Sequence, residues 1–299
     1  MKIAFLILCH TDEEHIARLV NKITENENFY AFIHVDKKSD IKKFKKKLDE
    51  SESVVFLRNR YSISWGGYSA IEATMELIKY ANKYKNFDRY VLLQGLDYPI
   101  KSNEYIYKYF KENANVEFIR GCNITESKDK YFYSRCRYYL FYENINRFKK
   151  IFNKLNYLLD LKLKSGYIYD DKKYTVYWGS AQWALTKECI EYIIKFYDKN
   201  KKFNEYFKYT FPVDELYFTS IVFNSHFNKM TIKHGDEKEK RGLVNWRNIH
   251  YFEYPKEIKV FSEKDYEKLI NCKELFCRKV NTSISKALLD KIDILHLEE

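Results

Sequence analysis

Three apolar runs constrain the fold more than any other feature of the chain: Lys2–Cys9 (KIAFLILC), Tyr30–Val35 (YAFIHV) and Tyr90–Gln94 (YVLLQ). Runs of this length with almost no polar interruption suit strands buried on both faces of a parallel sheet. Between the first two, Glu13–Thr24 carries Ile16, Leu19, Val20 and Ile23 at helical spacing, after the N-cap candidates Thr11 and Asp12. Ser53–Arg58 reads as a further short strand and Tyr68–Tyr84 as a long helix. Strands alternating with helices over about the first hundred residues predict an open, mostly parallel α/β sheet. Ligands of such sheets bind outside the carboxyl ends of the strands. His10, Asp36, Trp65 and Asp97 fall just after the strand-like runs or close to them, so they form a candidate nucleotide pocket.

Beyond residue 100 the pattern is looser. Phe118–Tyr174 is rich in Tyr, Arg and Lys, and Lys128, Lys130, Arg135 and Arg137 suit either an acceptor cleft or plain surface. Phe148–Leu163 reads as a helix, Thr175–Leu185 as strand, and Lys187–Tyr197 as helix. A strand is expected at Met230–Lys233, a helix at Ser262–Leu269, and a last helix at Thr282–Leu297. No repeat or low-complexity linker divides the chain. The expected organisation is one unit of 1–299: a nucleotide-binding half (1–115), an acceptor and catalytic half (116–260), and a C-terminal extension (261–299).

In Thr210–Ser225 (TFPVDELYFTSIVFNS), Pro212 suits the first turn of a helix, and Leu216, Phe218, Ile221, Val222 and Phe223 give it an apolar face. Glu215 then lies in the first helical turn, where the helix dipole stabilises a carboxylate. From this stretch alone it is either an ordinary N-terminal acid or a positioned general base.

Composition narrows the function classes. With 299 residues, 45% hydrophobic content, 28 Tyr and 22 Phe, the chain is globular rather than disordered. Abundant Lys, Asn, Ile and Tyr suggest an AT-rich, bacterial genome. The formal charge of +11 favours an anionic partner such as a nucleotide, a nucleic acid or an acidic membrane surface. Six cysteines at 9, 122, 136, 189, 272 and 277 contain no CxxC and no Cys/His ligand spacing, which argues against zinc and against a disulfide framework. No segment approaches the ~20 apolar residues needed to cross a bilayer. Met1–Cys9 reads as a strand rather than the core of a signal peptide, so a cytoplasmic location is expected, with peripheral contact at an anionic membrane as a further possibility.

Six short motifs occur in order: HVDKKS (34–39), SWGGYS (64–69), QGLDYPIKS (94–102), WGSAQWALT (178–186), PVDE (212–215) and FCRKV (276–280). Together they resemble the core-2/I-branching enzyme family, glycosyltransferase family 14, from about Ile3 to Val280. That family includes β-1,6-N-acetylglucosaminyltransferases and peptide O-xylosyltransferases. The resemblance implies a GT-A-like fold and inverting transfer of a sugar from a UDP donor, with N-acetylglucosamine the first choice and xylose the second. It implies Glu215 of the PxxE motif as catalytic base, with Asp214 a supporting residue. The sequence has no Asp-x-Asp. The resemblance implies that Arg278 and Lys279 contact the diphosphate in place of a metal, so no metal and no other cofactor is expected. It further implies Asp36 and Lys38 at the uridine end, and Trp183 and Trp246 on the sugar or acceptor side, since indole faces stack on sugar C–H faces. The expected partners are a UDP-sugar and a glycan or lipid-linked glycan acceptor, with no nucleic acid. An acid that the xylosyltransferase pattern places near Gln182 is absent.

Two rivals stay open from sequence. A metal-dependent GT-A transferase of another family should carry an acidic motif after the fourth strand. A nucleotide-sugar- or anion-binding protein without turnover needs no base.

Overall fold

The computed structural model describes residues 1–143, 149–161, 168–169, 172–240, 242 and 246–298. Its main sheet is built from β1 (Ile3–Cys9), β2 (Phe29–Val35), β3 (Val54–Phe56), β4 (Arg89–Gln94) and β6 (Ala184–Thr186), in the order β6-β4-β1-β2-β3. All pairings are parallel except β4 with β6, so the expected parallel-dominated α/β sheet is present.

Period-two alternation divides the apolar runs between two cores. Ala4, Leu6, Tyr30, Phe32, Tyr90 and Leu92 face one side, toward the helices Ser69–Tyr84, Lys187–Lys199 and Tyr217–Phe223. Phe5, Ile7, Ala31, Ile33, Val91 and Leu93 face the other, toward Glu13–Thr24, Asn103–Glu112 and Thr282–Glu298. Helices therefore cover both faces, which is why the strands read as continuously apolar.

Register places the functional rim. Cys9 is opposite Val35 and Leu8 is opposite Gln94. The residues that follow these strands, His10, Asp36 and Gly95, therefore emerge along one edge. A second sheet is formed by β5 (Asp97–Pro99), β7 (His250–Tyr251) and β8 (Phe276–Arg278), with β8 between the other two. It brings the C-terminal segment back to the rim, with Arg278 directly opposite Asp97.

Several local expectations are corrected. Val213–Glu215 is a 3-10 turn, and the helix starts only at Tyr217, so Glu215 is not in the first turn of an α-helix. Thr175–Leu185 is split into Tyr177–Trp178 and β6. Met230–Lys233 contributes one bridge, Thr231 to Glu117, after a 3-10 turn. Ser262–Leu269 is divided between a 3-10 turn, Glu263–Asp265, and the helix Tyr266–Ile270. The expected Phe148–Leu163 helix is shorter, Lys149–Leu158, and parts of that prediction lie outside the described residues.

Candidate active site

A cleft of about 640 Å³ opens at the rim of the main sheet. His10, Asp36, Lys38, Trp65, Arg278 and Lys279 line it, together with Gln94, Gly95, Ala181, Asp214 and Phe218. Its size is within the range of small-molecule sites.

Asp36 is buried and its carboxylate is spent locally. One oxygen accepts from the backbone N–H of Lys38 (2.8 Å), the other from that of Ile63 (3.1 Å). It thereby ties the end of β2 to the loop that carries Trp65. Lys38 also donates to the carbonyl of Ile63 (2.6 Å). Trp65 is 78% exposed at the rim and packs edge-on against Phe211. Gly66 follows with φ +69°, and a Cβ there would lie 2.3 Å from the Phe211 ring. Its carbonyl accepts from the N–H of Val213, so the Trp65 loop is bonded to the turn that carries the acid pair.

Asp97 lies behind the cleft rather than in it. It is fully buried; Arg278 Nη1 donates to one oxygen at 2.7 Å, while His250 Nε2 (3.0 Å) and the N–H of Gln94 (2.7 Å) meet the other. Burial alone would raise its pKa, but Arg278 and His250 hold it down at about 2. Asp97 therefore fixes Arg278 at the cleft wall.

Lys279 is half-buried beside it, and its ammonium has no hydrogen-bond or ion-pair partner among the described residues. Burial first, and then the neighbouring Arg278 charge, lower its pKa. Two adjacent cations, one unneutralised, form a site that an anion would relieve.

The acid pair divides its directions. Asp214 lines the cleft, and its Oδ1 is buried without a hydrogen-bond partner. Glu215 is half-buried, and Trp178 Nε1 donates to its Oε2 at 2.7 Å. The N–H of Gly179 donates to the Glu215 carbonyl at 2.9 Å, so neighbouring residues hold both ends of the glutamate. A Cβ on Gly179 would come within 1.8 Å of the Arg120 carbonyl, which leaves room only for glycine. Burial, and next the charge of Asp214, raise the Glu215 pKa above the usual carboxylate range. A carboxylate with a raised pKa holds a proton nearer neutral pH than an ordinary one does.

Trp183 and Trp246 are 0% and 2% exposed, so neither indole offers an open face for stacking on a sugar. Trp183 packs on Phe218, behind the cleft lining, and Trp246 packs edge-on against Trp178 at 5.1 Å. Both sit one layer back. Trp178, which opens the WGSAQWALT motif, and His250 shape the site although no local sequence pattern marks them.

Over residues 3–270 the chain matches the family described as Core-2/I-Branching enzyme. The chain belongs to that family. Among curated core-2/I-branching relatives, it is 22% identical over 230 residues to a xylosyltransferase of Ciona intestinalis, covering 75% of this chain and 25% of that protein. It is 20% identical over 313 residues to xylosyltransferase 2 of Rattus norvegicus, covering 98% of this chain and 33% of that protein. The chain thus spans a third or less of the length of these relatives. A likeness to the crystal structure of S. aureus TarS covers 40% of this chain and 21% of that one, at 16% identity and a TM-score of 0.26.

Proposed function

We propose that this member of the core-2/I-branching family is an inverting glycosyltransferase that moves a sugar from a UDP donor to a hydroxyl of a glycan acceptor. The observation that carries the reading is one cleft lined by the adjacent cations Arg278 and Lys279 and by Asp214, the residue before the raised-pKa acid Glu215. The acceptor oxygen attacks the anomeric carbon as the bond from that carbon to the diphosphate oxygen breaks. Glu215 takes the acceptor proton, and Arg278 and Lys279 meet the charge that develops on the diphosphate. One carboxylate serves a single displacement, unlike the carboxylate pairs typical of glycoside hydrolysis.

In this reading the cations do the work that a divalent ion does elsewhere. Asp97, the acid that follows β4, is already matched by Arg278, His250 and an N–H, which supports a structural use rather than metal ligation. Residues 1–115 supply the nucleotide rim and 261–299 the diphosphate contacts. The donor is UDP-N-acetylglucosamine or UDP-xylose, the latter favoured by the names of the curated relatives. The acceptor is a surface glycan or its lipid-linked precursor.

Calorimetric titration of UDP into the protein, in excess EDTA and then with Mn²⁺, tests the metal-free site. Comparable binding in both is the expected result. Binding that requires Mn²⁺ removes the diphosphate role from Arg278 and Lys279. Turnover is then read with each UDP-sugar against a panel of glycan acceptors.

A further inference from the structure

The helix Lys149–Leu158 is attached to the protein the wrong way round for a soluble amphipathic helix. Its apolar residues Ile151, Phe152, Leu155, Leu158 and the following Leu159 are 44% to 73% exposed. At about 100° per residue these five positions fall within one arc of roughly 120°. The side facing the protein is polar instead. Asn156 is buried and donates to the carbonyl of Tyr139 at 3.0 Å, and Asn153 accepts from the N–H of Phe141 at 2.9 Å. Tyr157 stacks on Tyr138 with ring centroids 4.2 Å apart. Among the described residues, these hydrogen bonds and this ring stack hold the helix, while its apolar stripe points into solvent.

A stripe of this kind normally faces the core. A contiguous exposed one marks an interaction surface rather than the usual scatter of single apolar residues. Charge decides what covers it. Lys154 flanks the stripe, and Lys128 and Lys130 stand beside the helix on the wall of a hollow of about 460 Å³ that Tyr157 also lines. All three lysines are exposed and none makes an ion pair among the described residues. Asp160, at the end of the helix, accepts from the Tyr138 hydroxyl at 3.1 Å. The whole chain carries +11. An apolar stripe with unpaired lysines at its edge matches the acyl–headgroup boundary of an anionic bilayer, where Phe and Leu enter and Lys meets lipid phosphates.

We propose that the helix Lys149–Leu158 docks this protein onto an anionic membrane surface through Ile151, Phe152, Leu155, Leu158 and Leu159. This goes beyond the transferase reading and does not depend on it.

The test is flotation of the full chain with vesicles of phosphatidylglycerol and phosphatidylcholine in equal parts, against vesicles of phosphatidylcholine alone. Wild type should float with the anionic vesicles and much less with the neutral ones. The F152S/L158S double variant should lose about tenfold or more of its partition, since both side chains are already in solvent and the fold does not need them. The K128E/K130E pair should lose binding selectively at low salt. UDP affinity, measured in parallel, should be unchanged in every variant, which separates this proposal from the assignment of the cleft. Failure of wild type to float, or flotation of F152S/L158S equal to wild type, overturns the proposal. So does a wild-type dimer in sedimentation that F152S/L158S disrupts, since the stripe would then cover a second copy of the chain.

Discussion

The indole of Trp178 donates to Oε2 of Glu215 at 2.7 Å, and the next residue, Gly179, donates its N–H to the Glu215 carbonyl. The glutamate is thus oriented by a dipeptide 37 residues earlier in the chain. Trp246 braces this indole edge-on, and its own Nε1 donates to the carbonyl of Lys240 at 3.1 Å. The first test concerns Glu215 itself. Glu215→Gln keeps the shape and the Trp178 contact but cannot accept a proton. Transfer should fall by about 10²–10⁴-fold with UDP affinity retained. Wild-type turnover in that variant removes Glu215 from the base role.

Trp178→Phe tests orientation. The lost hydrogen bond favoured the ionised carboxylate, so its removal should raise the Glu215 pKa further. The base works only when ionised, so the rising limb of the pH–rate profile should move to higher pH, by up to about one unit for a bond of about 1–1.5 kcal/mol. A lower maximal rate with an unmoved limb would leave Trp178 a packing role only.

Asp214→Asn makes the opposite prediction. Its charge is the second cause, after burial, that raises the Glu215 pKa. Removing that charge should move the rising limb to lower pH, while Asn keeps the volume. The pH dependence of kcat reads this directly. A limb that stays in place means the two carboxylates do not share their ionisation.

The extent of what sequence reveals follows the range of the interactions. The strands β1, β2 and β4 were legible because burial on both faces leaves continuous apolar runs, and their ends located His10, Asp36 and Lys38 at the rim. Asp97 was placed at the correct strand end, but its burial depends on Arg278, 181 residues away, and on His250, 153 residues away. Trp183 and Trp246 come from the family resemblance, whereas the covering of an indole face is a property of the packed core. The Glu215 turn looks α-helical in sequence because its apolar pattern continues into Tyr217–Phe223. Local periodicity does not distinguish a 3-10 turn from the first turn of a helix.

The two cations should separate when replaced. Lys279 has no ion-pair partner among the described residues, so Lys279→Ala should weaken UDP binding by roughly 1.5–3 kcal/mol and leave thermal stability nearly unchanged. Arg278→Ala should do both kinds of damage. It removes a cleft cation and also leaves Asp97 buried without its guanidinium, a loss of about 3–5 kcal/mol for a broken buried pair. Calorimetric Kd and Tm, measured on both variants, check the split. Equal Tm losses would mean that Lys279 has a structural contact of its own.

Asp97 also predicts how the fold responds to acid. Its folded pKa, about 2, lies below the ordinary aspartate value of about 3.9 that applies when the chain is unfolded. A depressed carboxylate contributes stability that is present in full above its unfolded pKa and is lost as pH falls through the folded one. The window is therefore from about pH 4 down to about pH 2, and linkage sets the contribution at about 2–3 kcal/mol. Denaturant unfolding at stepped pH should show this loss in wild type. In Asp97→Asn that component should be absent, although the variant starts less stable because Arg278 loses its buried partner. If the two proteins lose stability in parallel across this window, the acid sensitivity belongs to other carboxylates and Asp97 is not held ionised by Arg278 and His250.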